Sequence, residues 1–134
     1  MVLILIGAND FNRAITAATV EANITSITNT LVAGGISPTN IFICNVYWAA
    51  LHIGIENDER VLFNTWLDTF CPESGYNLVD NDTTHSDNIL EQIVAAYDYG
   101  DGTHNNSTGS QQLAQNVYDV IPAAITANSQ GHIV

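Results

Sequence analysis

Val2-Leu3-Ile4-Leu5-Ile6-Gly7-Ala8-Asn9-Asp10 is the stretch that decides how this chain folds. Its first five residues are all apolar, partly β-branched and closed by a glycine, which suits a parallel strand buried on both faces. Gly7 permits a tight turn, so the polar pair Asn9-Asp10 falls at the carboxyl end of that strand. The run is too short to span a bilayer. With no basic segment before it and no small-residue cleavage site after it, it reads as structure and not as a secretory signal.

Downstream, the period changes. Val20, Ile24, Ile27 and Leu31 recur at spacings of four, three and four, which predicts a helix over about Phe11 to Val32 with these residues on its inner face. Gly34-Gly35 stops it, and Pro38 keeps it stopped. Ile41 to Trp48 is a second apolar strand, and a helix from about Asn57 to Phe70 follows, ended by Cys71-Pro72-Glu73-Ser74-Gly75. Tyr76 to Asp80 is a short third strand. Ile89 to Tyr97 is expected as a short amphipathic helix, and Thr108 to Ile121 as the last one, with Leu113, Val117, Val120 and Ile121 inward and Pro122 at its end. Alternating strands and helices define a parallel sheet wrapped by helices. In such sheets ligands bind beyond the carboxyl ends of the strands, where Asn9, Tyr47, Trp48 and Asp80 fall.

The 134 residues, 46% hydrophobic and 8% aromatic, can bury a core and lack the composition of a disordered chain. They are expected to form one domain, or part of one, over 1–134. Two Lys+Arg stand against 14 Asp+Glu, a formal net charge of -12, with Arg13 and Arg60 as the only permanent cations. Nucleic acid and anionic membrane surfaces require basic patches, so neither is an expected partner. Charged residues make up only 12%, so the surface is rich in Asn, Thr and Ser, a character that fits a secreted protein. Cys44, in a strand, and Cys71, at a helix end, read as buried thiols, with a disulfide as the alternative if the protein is exported.

Chemistry concentrates in Asp101-Gly102-Thr103-His104-Asn105-Asn106-Ser107-Thr108-Gly109. An imidazole can take a proton from a hydroxyl near neutral pH, and a carboxylate three residues earlier can accept its other ring N–H and fix the tautomer. The plainer alternative is a turn in which Asp101 caps the helix and His104 meets solvent. Asn9 can donate to a developing oxyanion; alternatively Asn9 or Asp10 caps the next helix. Ser107 and Ser110 lie near His104, where helix capping is their expected role. Tyr47 and Trp48 are candidates to line a pocket. His85, among several aspartates, lacks any recognised metal-ligand spacing and reads as part of a polar surface loop. His52 and His132 carry no signal.

Gly7-x-Asn9-Asp10 after an apolar strand resembles the third sequence block of the SGNH (GDSL-type) hydrolases. Asp101-Gly102-Thr103-His104-x-Asn106-x-x-Gly109 resembles their fifth. The resemblance extends over essentially the whole chain and implies a three-layer α/β/α, flavodoxin-like fold and ester hydrolysis. It assigns Asn9 to the oxyanion hole, His104 to the general base and Asp101 to orienting His104, with Gly7 beside the pocket and no cofactor or metal. The family's Gly-Asp-Ser block and its second glycine block are not found in these residues. By this resemblance the chain is a partial domain lacking the first strands, and the nucleophilic serine must come from elsewhere. The expected partners are a small ester and either a second copy of the chain or an upstream chain that supplies strands and serine. A rival reading is a non-catalytic module of the same descent used for assembly or binding. A metal-dependent hydrolase built on His85 is a third.

Overall fold

The computed structural model describes residues 1–50, 54–87 and 90–129, with side chains described as far as residue 121. Three short strands, β1 (Val2–Ile4), β2 (Ile41–Cys44) and β3 (Asn77–Val79), form a parallel sheet in the order β1-β2-β3. Val2 stands opposite Ile41, and Phe42 opposite Asn77. Alternation along the strands sends side chains to two cores. Ile4, Ile41 and Ile43 pack with Val20 and Ile24 of α2 (Ala17–Ala33) and with Phe63, Leu67 and Cys71 of α3 (Ile55–Ser74). Phe42, Cys44 and Val79 face the other way, against Val117, Val120 and Ile121 of α5 (Ser107–Ser129). The result is three layers, helix–sheet–helix. Between them run α1 (Ala8–Phe11), a 3-10 turn at Pro38–Asn40, α4 (Asp82–His85), and a two-stranded antiparallel ribbon of β4 (Ser86–Asp87) and β5 (Gln92–Ile93).

Several boundaries differ from the sequence reading, each for a local reason. The first predicted helix is two, because the chain turns through Ala14 at φ 56 between α1 and α2. Thr28, not Ile27, completes the inner face of α2. Its hydroxyl donates to the Ile24 carbonyl at 3.0 Å, which lets a polar side chain sit fully buried while Ile27 is 39% exposed. Helix α3 continues through Pro72, in its last turn, where few ladder bonds remain to be lost. It closes on Gly75 in the left-handed region, with Tyr76 N–H bonded to the Cys71 carbonyl at 2.8 Å. Helix α5 likewise passes Pro122 and extends to Ser129. No helix spans Ile89 to Tyr97: among the described residues this segment holds β5 and turns, and Ile89 itself lies outside them, as do His52 and His132.

Strand β2 ends at Cys44 instead of Trp48 because a buried polar network takes over its backbone. Val46 N–H donates to Asn64 Oδ1 at 3.0 Å, and the Val46 carbonyl accepts from Asn64 at 2.8 Å and from Arg60 at 2.9 Å. Arg60, only 1% exposed, also reaches Asp82 at 2.5 Å and Asn57 at 3.0 Å. Asp82 accepts in addition from Asn64 at 3.1 Å and from the Ser86 hydroxyl. Asn45 completes the knot, accepting the N–H groups of Asn81 and Asp82 and donating to Asp80 at 2.9 Å. An arginine can be buried here because Nε and Nη1 of its fork meet oxygens, one of them a carboxylate oxygen of Asp82. The network locks the carboxyl end of β2 to α3 and α4.

Cys44 and Cys71 are free thiols on opposite sides of the sheet. Burial pushes Cys44 up to about 11 and Cys71 to about 12, so both stay neutral.

Candidate active site

After β1 the chain turns at Gly7, whose φ of 112 is open to glycine and strained for other residues. The Gly7 carbonyl accepts the N–H groups of Asp10 and Phe11, which starts α1, and fully buried Phe11 pins that turn against the Phe63 ring at 5.6 Å. Neither Asn9 nor Asp10 caps the helix, since both lie inside it and Gly7 occupies the cap position. Asn9 points outward, and its side-chain amide finds no hydrogen-bond partner among the described residues.

Residues 97–106 form a loop tied at almost every step, running directly into α5. Tyr99 N–H bonds to the His104 carbonyl and Asn106 N–H to the Tyr97 carbonyl, both at 2.8 Å. The Asp98 carboxylate accepts the N–H groups of Gly100 and Gly102. Asn106 donates to the carbonyls of Ala96 and Asp98, and its Oδ1 accepts Gly109 N–H at 3.0 Å, capping α5. Asn106, and not Ser107 or Ser110, therefore caps this helix. The Asn-x-x-Gly spacing carried that signal in the sequence.

Within this frame Asp101 holds His104 twice. Asp101 Oδ1 accepts the backbone N–H of Thr103 at 2.9 Å and of His104 at 2.8 Å, and Oδ2 meets His104 Nδ1 at 2.7 Å. The backbone N–H of His104, then its ring, then Thr103 N–H hold the Asp101 carboxyl down at about 2. With an ionised carboxylate opposite, Nδ1 carries a proton and Nε2 of the neutral ring is left as the acceptor. The loop meets the segment that follows β2 where Ala50 N–H donates to the Gly102 carbonyl at 2.7 Å.

A cavity of about 260 Å3 lies between these parts, lined by Leu5, Ile6, Ala8, Asn9, Val46, Tyr47, Ala49, Thr103 and His104. Asn9 and His104 thus line one pocket, with walls that are mostly apolar, while the His104 side chain is 74% exposed and so also meets solvent. Tyr47 and Thr103 bring the hydroxyls, and neither a serine nor a cysteine is among the lining residues. Two expected neighbours are not there. Trp48 is buried, its backbone N–H donating to the Ser86 hydroxyl at 2.6 Å, and Gly7 is buried against Val46 and Phe11.

His85 is not in a surface loop. It is fully buried, with Nε2 at 3.0 Å from the Gly109 carbonyl and Nδ1 at 2.9 Å from the Thr84 hydroxyl. Its ring lies between Tyr47 and Tyr97, at centroid distances of 5.2 and 4.9 Å. Both ring nitrogens are engaged, and no group of three or more His, Cys, Asp or Glu able to hold a metal occurs among the described residues. A metal site on His85 has no basis. Sequence reasoning missed its real place, and that of Tyr97, because only the tertiary fold brings them under the loop.

No protein-family model matches this chain, and no curated protein matches it. A solved structure from Bacteroides fragilis, described as a "putative acylhydrolase", matches with a TM-score of 0.73 at 19% sequence identity, covering 94% of this chain. At that identity the likeness speaks for the fold: this chain has the three-layer, flavodoxin-like α/β architecture of that structure. It spans 61% of the length of that neighbour.

Proposed function

We propose that this chain is the part of an SGNH (GDSL-type) ester hydrolase that carries the base and one oxyanion donor, and that a serine from outside these 134 residues completes the site. The observation that carries this reading is the shared pocket of Asn9 and His104, with Asp101 on the far nitrogen of the imidazole. The serine Oγ attacks the ester carbonyl while His104 Nε2 takes its proton. Negative charge gathers on the carbonyl oxygen, where the Asn9 amide donates; one such donor is typically worth about 3 kcal/mol in the transition state. The imidazolium, steadied by Asp101, passes the proton to the departing alkoxide, and water activated by His104 then hydrolyses the acyl-enzyme. No cofactor is needed for these steps.

The edge of β1 supports the idea of a supplied segment. Among the described residues strand β1 pairs with β2 on one side only, and Leu3 within it and Leu5 and Ile6 just after it are 44%, 52% and 42% exposed. An apolar, unpaired edge calls for another strand. A strand-bearing segment added there would enter next to Leu5 and Ile6, at the mouth of the pocket. A second copy of the chain is the alternative occupant.

The test is hydrolysis of p-nitrophenyl acetate by the native assembly that contains this chain, together with labelling by a serine-directed fluorophosphonate. Turnover that His104→Ala abolishes, with the label on a serine outside residues 1–134, is expected. An assembly that neither hydrolyses the ester nor takes the label would leave the non-catalytic module as the function.

A further inference from the structure

The cavity that Asn9 and His104 line is walled mainly by carbon. Leu5, Ile6 and Ala8 reach it from the segment after β1, and Val46 and Ala49 from the segment after β2. None of the lining residues carries a permanent charge, and neither arginine is among them. Arg60, which touches Val46 from behind, is buried, with Nη1 bonded to the Val46 carbonyl and to Asp82. A phosphate, sulfate or carboxylate therefore finds no fixed cation on this wall. A sugar ring would set several hydroxyls against apolar side chains, which is costly without partners. At about 260 Å3 the space falls just below the ~300–1,000 Å3 of cavities that enclose drug-sized ligands, so it has room for an ester group and a modest chain. Ala8 and Ala49 have the smallest side chains on that wall, and each leaves room that a longer one would fill.

We propose that this cavity binds an unbranched aliphatic chain of the ester, with Ala8 and Ala49 setting how long a chain it accepts. This rests on the hydrolase reading above and adds to it a class of substrate: esters that carry a short-to-medium hydrocarbon chain. Each methylene moved from water onto such a wall is worth about fourfold in affinity. That gain is non-directional, so it needs no polar partner beyond Asn9 and His104 at the ester group. The chain can belong to the acyl part or to the alcohol, since the same wall serves both, and the two sources are separable by experiment.

The experiment has two arms. In the native assembly, kcat/KM is compared along two ester series: p-nitrophenyl acetate, butyrate and hexanoate, and ethyl, butyl and hexyl acetate. A rise of about fourfold for each added methylene is expected in one of them. A rise among the p-nitrophenyl esters seats the acyl chain in the cavity, and a rise among the alkyl acetates seats the chain of the alcohol. Values that stay level or fall in both series overturn the proposal. Ala8→Leu, at an exposed position of α1, should cut the ratio of longest to shortest ester in the rising series about tenfold. An unchanged ratio overturns the role given to Ala8. The second arm needs no turnover. Methyl hexyl ketone, a neutral carbonyl with a chain, is titrated into 15N-labelled protein beside acetone. It should shift the backbone amides of Ile6, Ala8, Val46 and Ala49 and bind about 100-fold more tightly than acetone. Equal affinities, or shifts confined to other residues, overturn the proposal. Ester hydrolysis with no chain preference sinks the aliphatic ligand and keeps the hydrolase; ketone binding by an assembly that hydrolyses no ester does the reverse.

Discussion

Asp101 is the residue on which the local chemistry turns. Three hydrogen bonds converge on its carboxylate, and they favour the charged form over the neutral one. Its folded value of about 2 lies below the ordinary 3.8, so its contribution to holding the loop is fully present above about 3.8 and is lost as pH falls through about 2. A 13C titration of the Asp101 carboxyl should show its midpoint near 2; a midpoint near 3.8 would mean that the carboxylate does not hold His104. In the native assembly, Asp101→Asn should lower kcat by about 10²–10⁴-fold with little change in KM, because it removes the group that fixes the tautomer of the imidazole. A variant with wild-type kcat would show that the pair is only a turn. The Asp-x-x-His pairing was legible in the sequence because a three-residue turn brings the two side chains together without help from the rest of the fold. Tyr47's partnership with Asn105 was not legible, since 58 residues separate them.

At the scale of elements, the loop 97–106 sets where the His104 imidazole points, through the bonds of Asp101. Gly102 has φ 70, and a Cβ added there would lie 2.8 Å from the Ala50 side chain. Gly102→Ala should therefore push the loop away from Ala50, lowering thermal stability by about 1–3 kcal/mol and activity with it; an unshifted melting temperature would contradict the tight contact. Arg60 is the anchor of the knot. Arg60→Met leaves Asp82 without its cation and should cost about 3–5 kcal/mol in urea unfolding. A loss under 1 kcal/mol would mean the network is dispensable. Strand positions followed from apolar pattern alone, but the inner face of α3 did not. Of the apolar residues Val61, Leu62, Trp66 and Leu67 that mark this helix in the sequence, Val61 and Leu62 are 44% and 58% exposed, and Arg60, Phe63, Asn64 and Cys71 are buried beside Leu67. Where reading failed, a side chain had replaced a backbone partner: Thr28 took a buried place by bonding to its own helix, and Asn64 and Arg60 ended β2 early by satisfying Val46. Hydrophobic period contains no record of such substitutions. The expected helix over Ile89 to Tyr97 failed differently, because in the fold Val94 N–H bonds to the His85 carbonyl and draws that segment into a ribbon.

At the scale of the molecule, helices cover both faces of the sheet, and among the described residues no strand pairs with the outer edge of β1. Register sets Leu3 opposite Phe42, and while α5 covers Phe42, Leu3 is left 44% exposed. That asymmetry is the physical ground for expecting a further strand or a second copy. Light scattering at rising concentration should report a mass above that of one chain whenever no completing segment is present; a strictly monomeric protein would argue against an active edge. The 134 residues alone should hydrolyse p-nitrophenyl acetate no faster than background, because neither serine nor cysteine is among the residues that line the pocket with His104. Turnover by the isolated chain that disappears in His104→Ala would place the nucleophile among these residues after all. The most direct measurement is the rate of p-nitrophenyl acetate hydrolysis by the native assembly with His104 intact and with His104→Ala. A fall of about 10³-fold or more is expected from loss of the base, whereas equal rates would contradict a pocket in which His104 and Asn9 act on the same ester.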